Sequence, residues 1–246
     1  MKGRFFVTLD PDDAALAYLD AAGARHVRAL RLVRGDAVCA IVAPGREREA
    51  VIASLERDRV TLALGAEHPA ATRDLRHPRV LAIALGDLAR MDLVIEKATE
   101  LGATAIQPFV AERSQARTLP PSRLERWRRI ARTACEQCGR TVEPAVRPCV
   151  TFAELLAAGD GAQSIWLLSP APSGAETGAA ALPAAHQDGV ELLLIVGPEG
   201  GLTEDENARW VARGALPITL GRRVLRFETA AIAALAAALV CVPDRP

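Results

Sequence analysis

From residue 79 onward, short uncharged apolar runs alternate with longer segments whose apolar residues fall three and four apart. RVLAIAL (79–85), TAIQPFV (104–110), SIWLLS (164–169), ELLLIVG (191–197) and LPITLG (216–221) read as buried strands. Between the first two, LARMDLVIEKATELG sets Leu88, Met91, Ile95, Ala98 and Leu101 at helical spacing, with Gly102 as its cap. SRLERWRRIARTACEQCG, TEDENARWVARG and FETAAIAALAAALV read as further helices, the second opened by a capping box of Thr203 and Glu206. This alternation predicts an α/β fold: a largely parallel sheet with helices on both faces. No internal repeat interrupts it.

The first 70 or so residues carry a different pattern. RFFVTL, the runs flanking a Gly35-Asp36 turn in VRALRLVRGDAVCAIVA, and RVTLAL read as short strands of a small barrel or curled sheet. One short helix is expected from Ala14 to Ala22, ended by Gly23. GAEHPAATRDLRHP (65–78) reads as a linker, and the Ala/Gly/Pro-rich stretch 170–190 as a surface connection with room for a short helix near Ala179.

Charge and cysteines narrow the function. Formal net charge is zero, which argues against indiscriminate adhesion to nucleic acid. Residues 1–79 carry 13 Lys/Arg against 11 Asp/Glu and residues 80–150 carry 11 against 8, whereas residues 151–246 carry 6 against 11. The basic residues are almost all arginine, which suits bidentate phosphate contact and base stacking. Five scattered cysteines, and a start that turns acidic before any signal-length apolar run, lead to the expectation of a cytoplasmic protein. The longest apolar run, 13 residues at 230–242, suits a buried helix rather than a membrane span. Cys135 and Cys138 have CxxC spacing but no second ligand pair, and their surroundings read as helix, so no metal site is expected.

Two strands end in glycine and lead towards helices: ELLLIV-GPEGG and PITL-GRRVLR. Ligands gather at the carboxyl ends of strands in open α/β sheets. The first loop lacks the GK[ST] ending of a P-loop and the G-x-G-x-x-G spacing of a dinucleotide fingerprint. Glycines there allow main-chain groups to approach a ligand closely, and the alternative is a pair of ordinary tight turns. On the residues alone, a small-molecule site above the loops and a pair of turns that bind nothing both stay open.

IVGPEGGLTEDE followed by LGRRVLRFETAAIAAL resembles the paired cofactor loops of the SPOUT methyltransferases, whose chain forms a deep trefoil knot. The whole chain is similar to the ribosomal RNA small subunit methyltransferase E family, through RFFV, HVRALRLVRGD, RMDLVIEKATELG, QPFVAERSQAR, RWRRIARTACEQCGR, VGPEGG and LRFETAAIAAL in order. The resemblance implies a PUA-like RNA-binding β-barrel at 1–72 and a knotted, dimerising SPOUT domain at 73–246. It implies methylation of N3 of uridine 1498 in 16S rRNA of the small ribosomal subunit, with S-adenosyl-L-methionine as cofactor and a homodimer as the working form. Two positions depart from the family pattern. Arg222 stands where proline is usual, and Phe227 where threonine would supply a helix-cap hydroxyl.

The same resemblance assigns residues. The cofactor is expected against Val196, Gly197, Pro198, Glu199, Gly200, Gly201, Leu220, Gly221, Val224, Leu225 and Arg226, largely through main-chain groups, with side-chain contacts from Glu228 and Thr229. Uracil N3 holds a proton at neutral pH, so the enzyme must favour the uracil anion and align N3 with the methyl group. Arg226 and Arg113 are candidate donors to the charge developing on O2 and O4, with Arg117 beside them, and Glu199 is the candidate proton acceptor. RNA contact is expected from Arg4, Arg28, Arg31 and Arg34 and from Arg113 and Arg117, with Trp127 offered for stacking. His26 reads as a surface residue. The two glycine loops are expected at adjacent strand ends.

Overall fold

A computed structural model of the chain describes residues 3–70, 77–158, 164–169 and 191–241. The chain divides into two compact units: Met1–Asp74 with Arg132–Glu143, and Leu75–Ala131 with Pro144–Pro246. An expected cut between residues 72 and 73 lies outside the described residues. Residues 132–143, which include the end of one helix, group with the first unit.

In the first unit, β1 (Arg4–Phe6), β2 (Thr8–Leu9), β3 (Leu16–Leu19), β4 (Ala37–Ala43), β5 (Arg46–Leu55) and β6 (Val60–Pro69) form one sheet in the order β1-β4-β5-β6-β3-β2. Its two edge strands are separated only by Val7, so the sheet must curl until its edges nearly meet. That shape is compatible with the expected barrel. Phe5, Leu19, Val27, Val38, Ile52 and Leu62 fill its interior.

Three local expectations fail here. The expected helix at 14–22 is instead strand β3 followed by α1 (Ala21–Ala29). Asp20 caps α1 by accepting the N–H groups of Ala22 and Gly23, so Gly23 sits inside the helix rather than ending it. A side chain at Gly23 would begin 2.7 Å from Leu19 Cβ, which is why glycine stands there. The run before Gly35 is not a strand either: Val27–Ala29 close α1 and residues 30–34 are turn and irregular backbone, and Gly35 makes its turn at φ +92°. The supposed linker at 65–78 is strand up to Pro69, while residues 71–76, like the stretch 170–190, lie outside the described residues.

In the second unit, β7 (Arg79–Ala84), β8 (Ala105–Val110), β9 (Ala145–Val146), β10 (Val150–Thr151), β11 (Ser164–Leu168), β12 (Leu192–Val196) and β13 (Leu216–Ile218) make a sheet whose pairings are all parallel, in the order β10-β8-β7-β12-β11-β13, with β9 also on β8. Alternate residues of the central strands feed two cores, as a sheet buried on both faces requires. Leu81, Ile83, Leu194 and Val196 join side chains of α2 (Leu88–Glu100), α3 (Pro121–Cys138) and α6 (Phe227–Cys241). Val80, Ala82, Leu193 and Ile195 join those of α4 (Phe152–Ala158) and α5 (Glu204–Ala212). The predicted parallel sheet and two-sided helix cover are thus both present.

The CEQC segment is helix, at the end of α3. Burial pushes the thiols of Cys39 and Cys149 up to about 11, so neither is a thiolate at neutral pH. No cluster of His, Cys, Asp and Glu suited to a metal occurs among the described residues, and none of their helices is long and apolar enough to cross a membrane.

Candidate active site

Strands β12, β11 and β13 end on the same side of the parallel sheet, and a cavity of about 480 Å³ opens over those ends. The two glycine loops are not at adjacent strand ends: β11 runs between their strands. The middle strand consequently contributes Leu168 and Ser169 to the cavity wall. The first loop supplies Val196, Gly197, Pro198, Glu199, Gly200 and Gly201, and the second supplies Leu220, Gly221, Val224, Leu225 and Arg226. Glu228 and Thr229 do not line it. Glu228 is buried in the first turn of α6, where Oε1 meets Arg90 at 3.4 Å, and Thr229 is exposed.

The glycines have separate reasons. A side chain at Gly197 would begin 3.0 Å from the Leu202 amide nitrogen, so the chain can fold back there only without one. Gly201 and Gly221 adopt φ +69° and +108°, where side chains are strained. A side chain at Gly200 would begin 3.3 Å from Arg113 Cβ. The result is a wall made mostly of main chain.

Glu199 reaches away from its own loop. Its Oε1 accepts the Asp87 N–H at 2.9 Å, just before α2, and both carboxylate oxygens lie 2.7 Å from where a side chain on Gly86 would begin. Gly86 is therefore part of the site's construction, though no strand-end motif marks it. Arg113 donates from Nη1 to the Gly200 carbonyl at 3.0 Å and lines the cavity. Arg117 does not line it. It donates to the carbonyls of Ala111 and Glu112 and so stiffens the loop that carries Arg113. Arg90, Asn207, Thr219 and Arg223 are further polar lining residues that sequence reasoning missed. Phe227, one of the two departures, is buried against the core below the cavity, so an apolar anchor starts α6 where a hydroxyl cap was expected.

The arginines of the first unit separate into two groups. Arg28, Arg31 and Arg34 are exposed, and Arg31 holds φ +56° just past the end of α1. Arg4 is half-buried, paired with Glu47 and donating to the Gly139 carbonyl. His26 is also half-buried, with Nδ1 2.9 Å from Glu136. In the second unit Trp127 is fully buried and donates from Nε1 to Asp92 at 3.0 Å, so it is not available for stacking on a base. An apolar ring at helical spacing with a satisfied N–H belongs to the core.

Residues 74–239 match a family described as an RNA methyltransferase domain. The chain is 36% identical over 217 residues to a ribosomal RNA small subunit methyltransferase E from Synechocystis, covering 85% of this chain and 67% of that protein. With the protein of the same name from Bacillus subtilis, identity is 32% over 216 residues, 86% of this chain and 84% of the relative. The crystal structure of a ribosomal RNA small subunit methyltransferase E from Neisseria gonorrhoeae, bound to S-adenosyl methionine, superposes with a TM-score of 0.81 at 28% identity over 98% of each chain.

Proposed function

Since the chain belongs to the ribosomal RNA small subunit methyltransferase E family and is an rRNA methyltransferase, we propose that it methylates N3 of uridine 1498 in 16S rRNA, using S-adenosyl-L-methionine held over the ends of β12, β11 and β13. The observation that carries this reading is the cavity, whose volume is within the range of small-molecule sites and whose wall two glycine loops leave open to main-chain contact. The fit to the cofactor is good: main-chain groups of Gly197–Gly201 and Leu220–Leu225 would hold adenosine and methionine, and side chains at Gly197 or Gly200 would press on Leu202 and Arg113, which line the same cavity. The bound cofactor supplies an electrophilic methyl group on a sulfonium.

The protein's residues must then bring uracil N3 to that group and accept its proton. Arg113 and Arg226 line the cavity and would stabilise charge developing on O2 and O4. Among the described residues Glu199 is the one carboxylate lining it and its Oε2 has no hydrogen-bond partner, which leaves an acceptor for the N3 proton. If Glu199 is the base, Glu199→Gln flattens the acidic limb of the rate–pH profile. An unchanged profile and rate would assign it to capping the Asp87 amide alone.

In the same reading the first unit is a PUA-like RNA-binding barrel, and exposed Arg28, Arg31 and Arg34 meet RNA phosphates while Arg4 acts within the fold. The trefoil knot is supported by the path of the last segment, which leaves the edge strand β13 and brings α6 back onto β12, β7 and α2. A homodimer is supported by α6, which is apolar on every side and leaves Leu239 and Val240 exposed. The proposed location is the cytoplasm, where the small subunit is assembled. Mass spectrometry of 16S rRNA from a strain lacking the protein tests the assignment: the uridine at 1498 should lose its methyl group, and retention of that group would end the site-specific reading.

A further inference from the structure

Glu206 satisfies two separate demands through its two carboxylate oxygens. Oε2 accepts the Thr203 N–H at 2.9 Å while the Glu206 N–H donates to Thr203 Oγ1 at 3.2 Å, which completes the capping box of α5. Oε1 accepts the N–H of Glu112 at 2.9 Å, from a residue 94 positions earlier in the chain. Glu206 is only 5% exposed, so its two acceptor oxygens are largely shielded from water. A glutamine suffices for a capping box. Here the two N–H donors meet different oxygens, an arrangement that a carboxylate matches and an amide, with one oxygen and one NH₂, does not.

The second bond matters because of its neighbour. Residue 113 follows the anchored amide, and the Arg113 side chain lies over Gly200 with its Nη1 on the Gly200 carbonyl. Within the loop, Ala111 N–H donates to Ser114 Oγ at 3.0 Å, and Arg117 spans the Ala111 and Glu112 carbonyls. These bonds stiffen the loop but do not set its position over the glycine turn. The anchor at Glu206 does, since it ties residue 112 to the helix that the same turn opens.

We infer that Glu206 is a positioning residue, which fixes the backbone at Glu112 and thereby holds the Arg113 guanidinium at the cavity. The inference rests on the proposed role of Arg113 at the acceptor base. Glu206→Gln keeps an acceptor for the Thr203 N–H and turns an amide NH₂ towards the Glu112 N–H, so it severs the tether while sparing the cap.

The experiment combines hydrogen–deuterium exchange with single-turnover methylation of small-subunit RNA, in wild type, Glu206→Gln, Arg113→Ala and the double variant. Exchange over residues 111–117 should speed up about tenfold in Glu206→Gln, with α5 changing less than about twofold. The methylation rate at saturating cofactor should fall about 10- to 100-fold while cofactor affinity changes less than about threefold. In the Arg113→Ala background, Glu206→Gln should add less than about twofold, because its effect passes through that side chain. Unchanged exchange at 111–117, equal loosening of α5, or multiplicative rate losses would each overturn the inference. If wild type does not methylate this RNA while Glu206→Gln still loosens residues 111–117 selectively, the substrate assignment falls and the positioning of the Arg113 loop by Glu206 stands.

Discussion

The loop at 197–203 is tied by side-chain hydrogen bonds to three other parts of its unit, whereas the loop at 219–226, among the described residues, makes no side-chain hydrogen bond outside itself and is anchored by Leu220 packed against the core. In the first, Glu199 reaches the amide ahead of α2, Arg113 reaches back to Gly200, and Glu206 binds both the Thr203 cap and the Glu112 amide. In the second, Thr219 Oγ1 donates to the Gly221 carbonyl at 3.1 Å, Ala230 N–H donates to the Arg226 carbonyl at 2.8 Å, and Val224 is 87% exposed. One wall of the cavity is cross-tied to distant segments of its unit, and the other carries fewer such ties. Preorganisation lowers the entropic cost of binding, and a looser facing wall allows entry and release.

The largest effect should come from breaking the rigid wall. A valine at Gly197 would bring its side chain within 3.0 Å of the Leu202 amide and 3.2 Å of the Leu202 side chain, neither of which is a flexible chain end. Cofactor affinity, measured by isothermal titration, should fall about 100-fold or more, roughly 2.7 kcal/mol, because the loop must open towards the cavity. A thermal midpoint that falls without loss of affinity would mean that the wall yields away from the ligand instead.

Gly221 tests the other side. At φ +108° an alanine is strained, yet no atom lies within 4 Å of the position its side chain would take. The cost of about 1–3 kcal/mol falls on one backbone conformation rather than on packing. If the second loop adopts that conformation firmly only with ligand present, Gly221→Ala weakens cofactor binding about tenfold and shifts the melting midpoint of the free protein little. An equal loss of stability and affinity would show that both walls are preformed, and the contrast drawn above would disappear.

How much of this was legible in the sequence follows the same division. Local signals read well: the parallel sheet from its apolar runs, the α5 cap from Thr203 and Glu206, and the loop residues from glycines that mark backbone geometry. The ties between distant segments did not. Nothing near Gly86 hints that the Glu199 carboxylate occupies the space of its missing side chain, and Glu206 reads as a finished capping box without its bond to Glu112. The same blindness produced the errors. Gly23 looked like a helix stop because the contact that demands it, with Leu19, follows from packing. Trp127 looked available to a base because its partner Asp92 lies on another helix. Strand order was equally hidden, since β11 precedes both loops in the chain yet lies between their strands in space.

The smallest predicted effect concerns what the less tied wall offers to RNA. Arg222, Arg223 and Arg226 are exposed and make no side-chain hydrogen bond or ion pair among the described residues, in contrast to Arg113, which is committed to Gly200. Arg222 lies between two residues of the cavity wall, Gly221 and Arg223, so it adds a cation beside the cavity. A single exposed arginine meeting one phosphate contributes through counterion release, and its removal lowers the slope of log affinity against log salt by about 0.7 for single-stranded RNA. Arg222→Ala should therefore weaken rRNA binding a few-fold at low salt, converge with wild type as salt rises, and leave cofactor affinity unchanged. If binding falls equally at every salt concentration, Arg222 is shaping the loop rather than meeting phosphate, and the second wall is more ordered than its sparse bonding implies.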